Sequence, residues 1–301
     1  MEQLIQQVAS GLANGAIYAC VALALVMIFV STSHINFAQG EMAMFSTYIS
    51  WQMIQWGVGY WPAFFLAVGV SFVGGVLIER IVLRPLHTAP VLSIVVVFIG
   101  LLAICNSVAG TAWSYLIKEY PTPFPKDKFG LSGLIGAHQL GVVVVTLIVL
   151  TMLFVFFRYT PLGLAMRAAA QNPVSARLAG VRVDWMLALG WGLAAAVGAV
   201  AGMMVAHIVY LDPNMMGGIL LYAFAGALLG GISSPGGAVL GGFMVGVLEN
   251  LVAYLGNAIE KGFGVYIIGN GEKLTVALII VITVLTLKPS GLFGRVVVKR
   301  V

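Results

Sequence analysis

Charge is what this sequence has least of. Only 8% of its 301 residues are Asp, Glu, Lys or Arg, against roughly 25% for an ordinary soluble domain. With 61% hydrophobic residues and a mean hydropathy of +1.05, the composition excludes a soluble globular enzyme. Cysteine is nearly absent too. Cys20 and Cys105 both lie in apolar stretches, where they read as small core residues, so neither a disulfide framework nor a metal site is supported. The four histidines, His34, His87, His138 and His207, lie in separate segments without metal-ligand spacing. No serine sits in a nucleophile-elbow pattern. The segment GNGEKLT (269–275) has neither the spacing nor the Gly-Lys-Ser/Thr ending of a phosphate-binding loop. Without recurrent ten-residue alternation a β-barrel is not expected, and without chains of paired intramembrane acids a proton relay is not expected.

What the sequence does have is long apolar runs, and the fold class they predict is all-α: a polytopic integral membrane protein with about eight or nine transmembrane segments, some short or broken. The expected spans are 9–31, 37–56, 61–79, 91–113, 140–157, 186–208, 217–232, 236–256 and 273–288. They form a single transmembrane domain over 1–301. The N-terminal MEQLIQQVASG lacks a basic region and a small-residue cleavage site, so the first span is expected to be retained. Thirty-seven glycines suit closely packed transmembrane helices. The net charge of +5 is explained by topology, not by nucleic acid. Ten of the fifteen Lys/Arg residues fall in 80–90, 158–185 and 288–301, which makes that side cytoplasmic and the N-terminus external.

Four regions stand out from the apolar background. The first, Arg158 to Trp185, is helical in its signals but too polar for a bilayer. Thr160 then Pro161 reads as an N-cap followed by proline at the first helical position, opening a helix to about Ala170. Asn172 then Pro173 repeats the signal. That second helix is expected to run to Ala179, with Gly180 as its left-handed cap and Asp184 capping the next apolar helix. The second region, 31–41, holds His34, Asn36, Gln39 and Glu41. It fits either a plain cytoplasmic turn or a break in a helix at membrane depth, where irregular backbone must line a cavity or be buried. Third, the Pro- and aromatic-rich connector 118–133 reads as a solvated loop or an external docking surface. Fourth, residues 212–256 place glycines at small-xxx-small spacing, Gly226/Gly230, Gly237/Gly241 and Gly242/Gly246, around the interruption GISSPGG. These fit close helix packing or a transport pathway. Glu249 at the end of this region faces a cavity, a partner or the external interface. Asn36, Gln39, Glu41 and Glu249 are accordingly the candidate translocation-pathway residues. A self-sufficient secondary transporter or channel would use Glu41 and Glu249 in the same way.

Three stretches in order carry a family resemblance: GLANGAIYACVALALVMIF with INFAQGEMAMFSTYIS, then GLAMRAAAQNPVSARLAGVRVDWMLALGWGLAAAVGAVAGMM, then AFAGALLGGISSPGGAVLGGFMVGVLENL with the closing KPSGLFG. The sequence resembles the permease subunits of the high-affinity branched-chain amino acid ABC importers, of the LivH type. INFAQGEMAM in place of an NLGxxGQxSxGHAAF pattern favours the shorter of the two permease types. The resemblance implies a bacterial inner-membrane permease that is not itself an enzyme. It would work with a second homologous permease subunit, two cytoplasmic ABC ATPase subunits and a periplasmic solute-binding protein. No cofactor would be bound by this chain, ATP and Mg belonging to the partners. It also implies that the short cytoplasmic helices couple to the ATPase through Gly163, Arg167, Ala168, Asn172, Pro173, Ala176 and Gly180, with Arg177 on the same segment. The external connectors 118–139, 209–216 and 257–272 would meet the binding protein. Branched-chain amino acids are the first expectation for cargo; urea, short amides or aromatic acids are the alternatives within the family.

Overall fold

A computed structural model describes residues 2–32, 34–86, 89–125, 128–129, 135–263 and 273–294. Its helices are α1 (Glu2–Thr32), α2 (Gln39–Gln55), α3 (Tyr60–Ile78), α4 (Val91–Trp113), α5 (Ala137–Tyr159), α6 (Pro161–Gln171), α7 (Pro173–Leu178), α8 (Val183–Val209), α9 (Met216–Gly230), α10 (Pro235–Phe263) and α11 (Lys273–Leu287). Apart from α6 and α7, each stands where a span is expected. In lipid every backbone N–H and C=O must be satisfied within the segment, so apolar runs of this length become helices. Six of the described helices are long and apolar enough to cross a membrane: α1, α3 with its extension to Leu86, α4, α5, α8 and α10. Helices α9 and α11 have 15 residues each, and α2 has 17. Lys128–Phe129 of the connector 118–133 pairs antiparallel with Ile135–Gly136 just beyond it.

The chain divides into two compact units. The terminal unit comprises 1–23, 122–146 and 219–301, and the central unit 24–121 and 147–218. In the terminal unit, glycines bring backbones together. A Cβ at Gly226 would stand 2.8 Å from Gly242 Cα, and one at Gly242 would stand 2.5 Å from Ala19 Cα. A Cβ at Gly246 would collide with Gly15. Thus α9 meets one face of α10 while the early turns of α1 meet another, the close approach that small-xxx-small spacing permits. The GISSPGG interruption is a turn built on Gly231 (φ +110°), with the Ser234 hydroxyl accepting from Gly237 N at 3.1 Å. The closing KPSGLFG segment folds back on it. Leu292 N and Phe293 N donate to Leu229 O and Gly230 O at 2.8 and 2.9 Å, satisfying carbonyls that the end of α9 leaves open.

In the central unit α8 packs against α2 and α3. At one end α8 adjoins α6 and α7. At the other, the connector after α4 pairs with the residues after α8: Lys118 and Leu211 exchange backbone hydrogen bonds of 2.9 Å in both directions. Ser114 and Tyr210, which end α4 and α8, have φ of +68° and +65°. Non-glycine residues in this region cost of order 1–3 kcal/mol each, offset here by the paired connectors. His207 hydrogen-bonds to the Tyr120 carbonyl at 3.0 Å, and the Tyr120 hydroxyl to Ser50 at 2.8 Å. Burial pushes that hydroxyl up to about 12, so it stays protonated as a structural hydrogen-bonding group.

Candidate functional site: a docking segment and a polar break

The segment between α5 and α8 folds as its capping residues predict. Thr160 Oγ1 accepts from Gly163 N at 3.0 Å, and Asn172 Oδ1 accepts from Ser175 N at 3.0 Å. Each cap contributes about 1 kcal/mol. Gly180 takes φ +83°. Gly163 is buried and lets α6 turn tightly against the backbone of Phe156 and Phe157. Ala169 and Ala176 pack with Val183, joining both short helices to the start of α8. Arg167 is half-buried with its Nε unpaired, and Ala168 lies beside the same small core. Asn172, Pro173, Arg177 and Gly180 are exposed. So are two residues that sequence reasoning passed over, Val174 and Leu178, at 67% and 86%. Both stand on a segment outside the expected spans.

Asp184 departs from its expected role. It lies in the first turn of α8 but caps nothing; Arg182 occupies the N-cap position without a side-chain cap. Its carboxylate binds Arg84 Nη2 and Arg177 Nη2 instead, both at 3.0 Å. Here both donor and acceptor are charged, whereas a cap would pair the carboxylate with neutral backbone N–H groups, and the first-turn position still suits the helix dipole. Arg80 lies 3.6 Å above the Trp185 ring centroid. Together Arg80, Arg84, Arg177, Arg182, Asp184 and Trp185 line a cleft of about 230 Å³ at the end of the helices that carries α6 and α7. None of these contacts is local in sequence, and only the arginine count hinted at them.

The region 31–41 lies partway along α8, not at its end. Gly190 of α8 faces Ser31, and Gln39 Nε2 donates to Ala194 O at 3.0 Å. Ala194 is twelve residues into the 27-residue α8, roughly 17 Å along its axis at 1.5 Å per residue. Helix α2 therefore starts near the mid-length of α8. Asn36 and Gln39 are fully buried, as irregular backbone at depth requires. The Asn36 Oδ1 accepts from Ala38 N at 3.0 Å, and its Nδ2 reaches Gln39 Oε1 and Met42 Sδ, both at 3.5 Å. Glycines of α8 make space for polar side chains here: a Cβ at Gly198 would stand 2.5 Å from Gln39 Nε2, and one at Gly202 2.5 Å from Thr47 Oγ1. Glu41 follows in the first turn of α2, 9% exposed, and one carboxylate oxygen, Oε2, is buried without a hydrogen-bond partner. The structure thus brings Asn36 and Gln39 together, while Glu41, two residues on, is turned towards Asn106 of α4. Glu249 belongs to the terminal unit, where its carboxylate accepts from the Tyr18 hydroxyl at 2.7 Å and Tyr18 stacks on Tyr222 at 5.1 Å. Both cysteines are free; Cys20 is buried with its thiol directed to the Thr146 hydroxyl.

Apolar helices around a buried polar break, with an exposed helical segment between two spans, define a polytopic transport subunit. The model of the family described as "Branched-chain amino acid transport system / permease component" matches residues 7–287, and the chain belongs to that family. It is 31% identical to the high-affinity branched-chain amino acid transport system permease protein BraD of Pseudomonas aeruginosa, covering 99% of this chain and 98% of that protein. It is 30% identical to the permease protein LivH of Escherichia coli K12, over 99% and 97% of the two chains. To the probable LivH of Methanocaldococcus jannaschii it is 30% identical, over 91% and 87%. Among solved structures, PsaBC from Streptococcus pneumoniae in complex with Fab is similar over 91% of this chain and 89% of that one, at 13% identity and a TM-score of 0.47.

Proposed function

We propose that this chain is one of two permease subunits of an ATP-driven importer of branched-chain amino acids in a bacterial inner membrane. A second, homologous permease completes the pathway, two ATPase subunits bind ATP and Mg on the cytoplasmic side, and an external solute-binding protein delivers cargo. The observation that carries this reading is the α6–α7 segment. It exposes Val174 and Leu178 beside Arg167 and Arg177 on a surface outside the spans, while the sequence has no nucleotide loop of its own. An apolar patch edged by cations suits a partner with an apolar groove and acidic rim. Closure of that partner would move α7 and, through the Ala169–Ala176–Val183 contact, the base of α8. Gly163, Ala168, Asn172, Pro173, Ala176 and Gly180 shape the segment; Asn36, Gln39 and Glu41 are assigned to the translocation pathway, and Glu249, held by the Tyr18 hydroxyl, to the scaffold. The connectors 118–139 and 209–216 would receive the binding protein; of the third, 257–272, residues 264–272 lie outside the described ones.

The test is reconstitution. Purification in mild detergent is expected to retain two ATPases and a second permease, and the complex in proteoliposomes to import leucine on ATP with binding protein present. Transport by this chain alone, or loss of uptake when an ion gradient is collapsed with ATP maintained, would overturn the reading in favour of a secondary transporter. ATP-driven import of urea, an amide or an aromatic acid with no import of leucine would keep the class and replace the cargo.

A further inference from the structure

We propose that the Glu41 carboxylate is the receptor for the ammonium group of the transported amino acid, with Asp212 and the Tyr48 hydroxyl completing an anionic and acceptor-rich station in the central unit. This rests on the amino-acid import proposed above and adds to it the group that the cargo meets inside the membrane.

Three observations lead there. First, Glu41 Oε2 and Tyr48 Oη are both buried without a hydrogen-bond partner. Buried acceptors are ordinarily satisfied, so two orphaned polar atoms on one helix call for a group supplied from elsewhere. Glu41 and Tyr48 are seven residues apart on α2, hence on the same face. Second, the neighbours brought to them have the wrong sign for self-neutralisation. The charge acting on both Glu41 and Tyr48 is that of another carboxylate, Asp212. The Asn106 amide reaches Glu41 but already donates to Pro213 O at 2.9 Å and Asn214 Oδ1 at 3.1 Å. Asn106 therefore ties the 212–214 loop to α4. Asn214 N in turn holds Asp212 Oδ1 at 2.7 Å. Two carboxylates facing acceptors constitute a cation site.

Third, the geometry suits an organic cation over a metal ion. Among the described residues no set of three or more His, Cys, Asp or Glu groups gathers to hold a metal, whereas two carboxylates with a hydroxyl beside them match the three donors of an ammonium. An intramembrane carboxylate is costly unless it is paired or faces a cavity, and arriving cargo would supply the missing partner. The amide of Gln39, already engaged with Ala194 O, anchors the first turn of α2 and so fixes where that carboxylate points. Glu41 is thereby a cargo-contacting residue, and Gln39 a positioning residue.

The experiment uses the complete importer in proteoliposomes with leucine as the probe, and uptake is expressed per assembled complex. Glu41→Gln is expected to lower the maximal uptake rate at least about tenfold, the size of one lost charged hydrogen bond. Glu41→Asp should recover part of the loss because it restores the charge, and Tyr48→Phe should lose less than Glu41→Gln. A Glu41→Gln complex that imports at the wild-type rate, or a Glu41→Asp complex no better than Glu41→Gln, overturns the assignment. A purely structural role would lower the yield of complex and leave uptake per complex intact, which also overturns it. If Glu41→Gln does not assemble, carbodiimide labelling of Glu41 in the wild-type complex decides: leucine delivered by binding protein under ATP turnover should protect the residue, and equal labelling with and without leucine overturns the proposal. Failure of the wild-type complex to import any amino acid would instead remove the functional reading beneath it.

Discussion

Glycine does two different jobs in the two units of this protein. In the terminal unit Gly226, Gly242, Gly246 and Gly15 remove side chains so that helix backbones touch. In the central unit Gly198 and Gly202 remove side chains so that Gln39 and Thr47 fit against α8. The first arrangement is a seam, held by dispersion over a close backbone contact. The second is a lining, in which a small residue on one helix is exchanged for a polar one on its neighbour. The buried polar groups follow the same division. Asn36, Gln39, Glu41, Ser46, Thr47, Ser50, Ser71 and Glu79 are buried in the central unit, while in the terminal unit Thr146, Glu249 and Asn250 are. The same residue type thus lets backbones touch in one place and admits polar side chains in the other, and spacing alone does not separate the two.

The most damaging way to break the comparison is to fill the seam. Gly242→Leu puts a branched side chain where even a Cβ would stand 2.5 Å from Ala19 Cα. Backbone has no rotamer with which to yield, so overpacking should exceed the usual 1–3 kcal/mol or so. The expected outcome is at least an about tenfold loss of folded, membrane-inserted protein, read by detergent extraction and size-exclusion chromatography. Normal yield would show that the seam is looser than the backbone contacts imply.

A smaller effect, of a different kind, is expected at the docking segment of the central unit. Leu178 is exposed and contributes little to folding, so Leu178→Asp should leave the yield unchanged. Arg167→Glu places a like charge against a partner chosen for its acidic rim, a change that costs several kcal/mol when the contact is desolvated. Both variants should hydrolyse ATP while importing about tenfold less cargo per ATP consumed. Normal coupling in both would reduce Arg167 to a topological marker.

Legibility in the sequence followed the range of the interaction. The caps at Thr160–Pro161 and Asn172–Pro173 and the left-handed Gly180 are contacts within four residues, and the structure has each of them. The apolar spans were equally plain, because hydropathy over 20 residues is a local quantity. The 31–41 region left two readings because depth is set by its neighbour: only the contact from Gln39 to Ala194, 155 residues away, places it partway along α8. Asp184 is not the expected cap because Arg177 and, 100 residues earlier, Arg84 bind its carboxylate instead. The Glu41 surroundings were missed for the same reason. Asn106 sits in α4 and Asp212 in the loop after α8, although an asparagine within an otherwise apolar span was a signal available beforehand.

The last prediction concerns the two buried carboxylates, which sharpen the comparison at its finest point. Glu41 and Glu249 are equally buried, each 9% exposed, yet Glu249 accepts a 2.7 Å hydrogen bond from Tyr18 while Glu41 keeps an orphaned oxygen. Tyr18 and Glu249 form a cross-helix tie between α1 and α10 within the scaffold, backed by the stacking of Tyr18 on Tyr222. Losing one partner of a buried hydrogen bond costs about 1–3 kcal/mol. Tyr18→Phe and Glu249→Gln should therefore each lower the thermal midpoint of the complex, and the double variant should lose less than the sum, because residues in contact are not additive. Uptake per assembled complex should stay within about twofold of wild type. A Glu249→Gln complex with an unchanged midpoint and strongly reduced uptake would move Glu249 from the scaffold to the pathway and make the two carboxylates alike in function. A fall in midpoint with uptake retained would instead make the partnered acid a tie and leave cargo recognition to the unpartnered one.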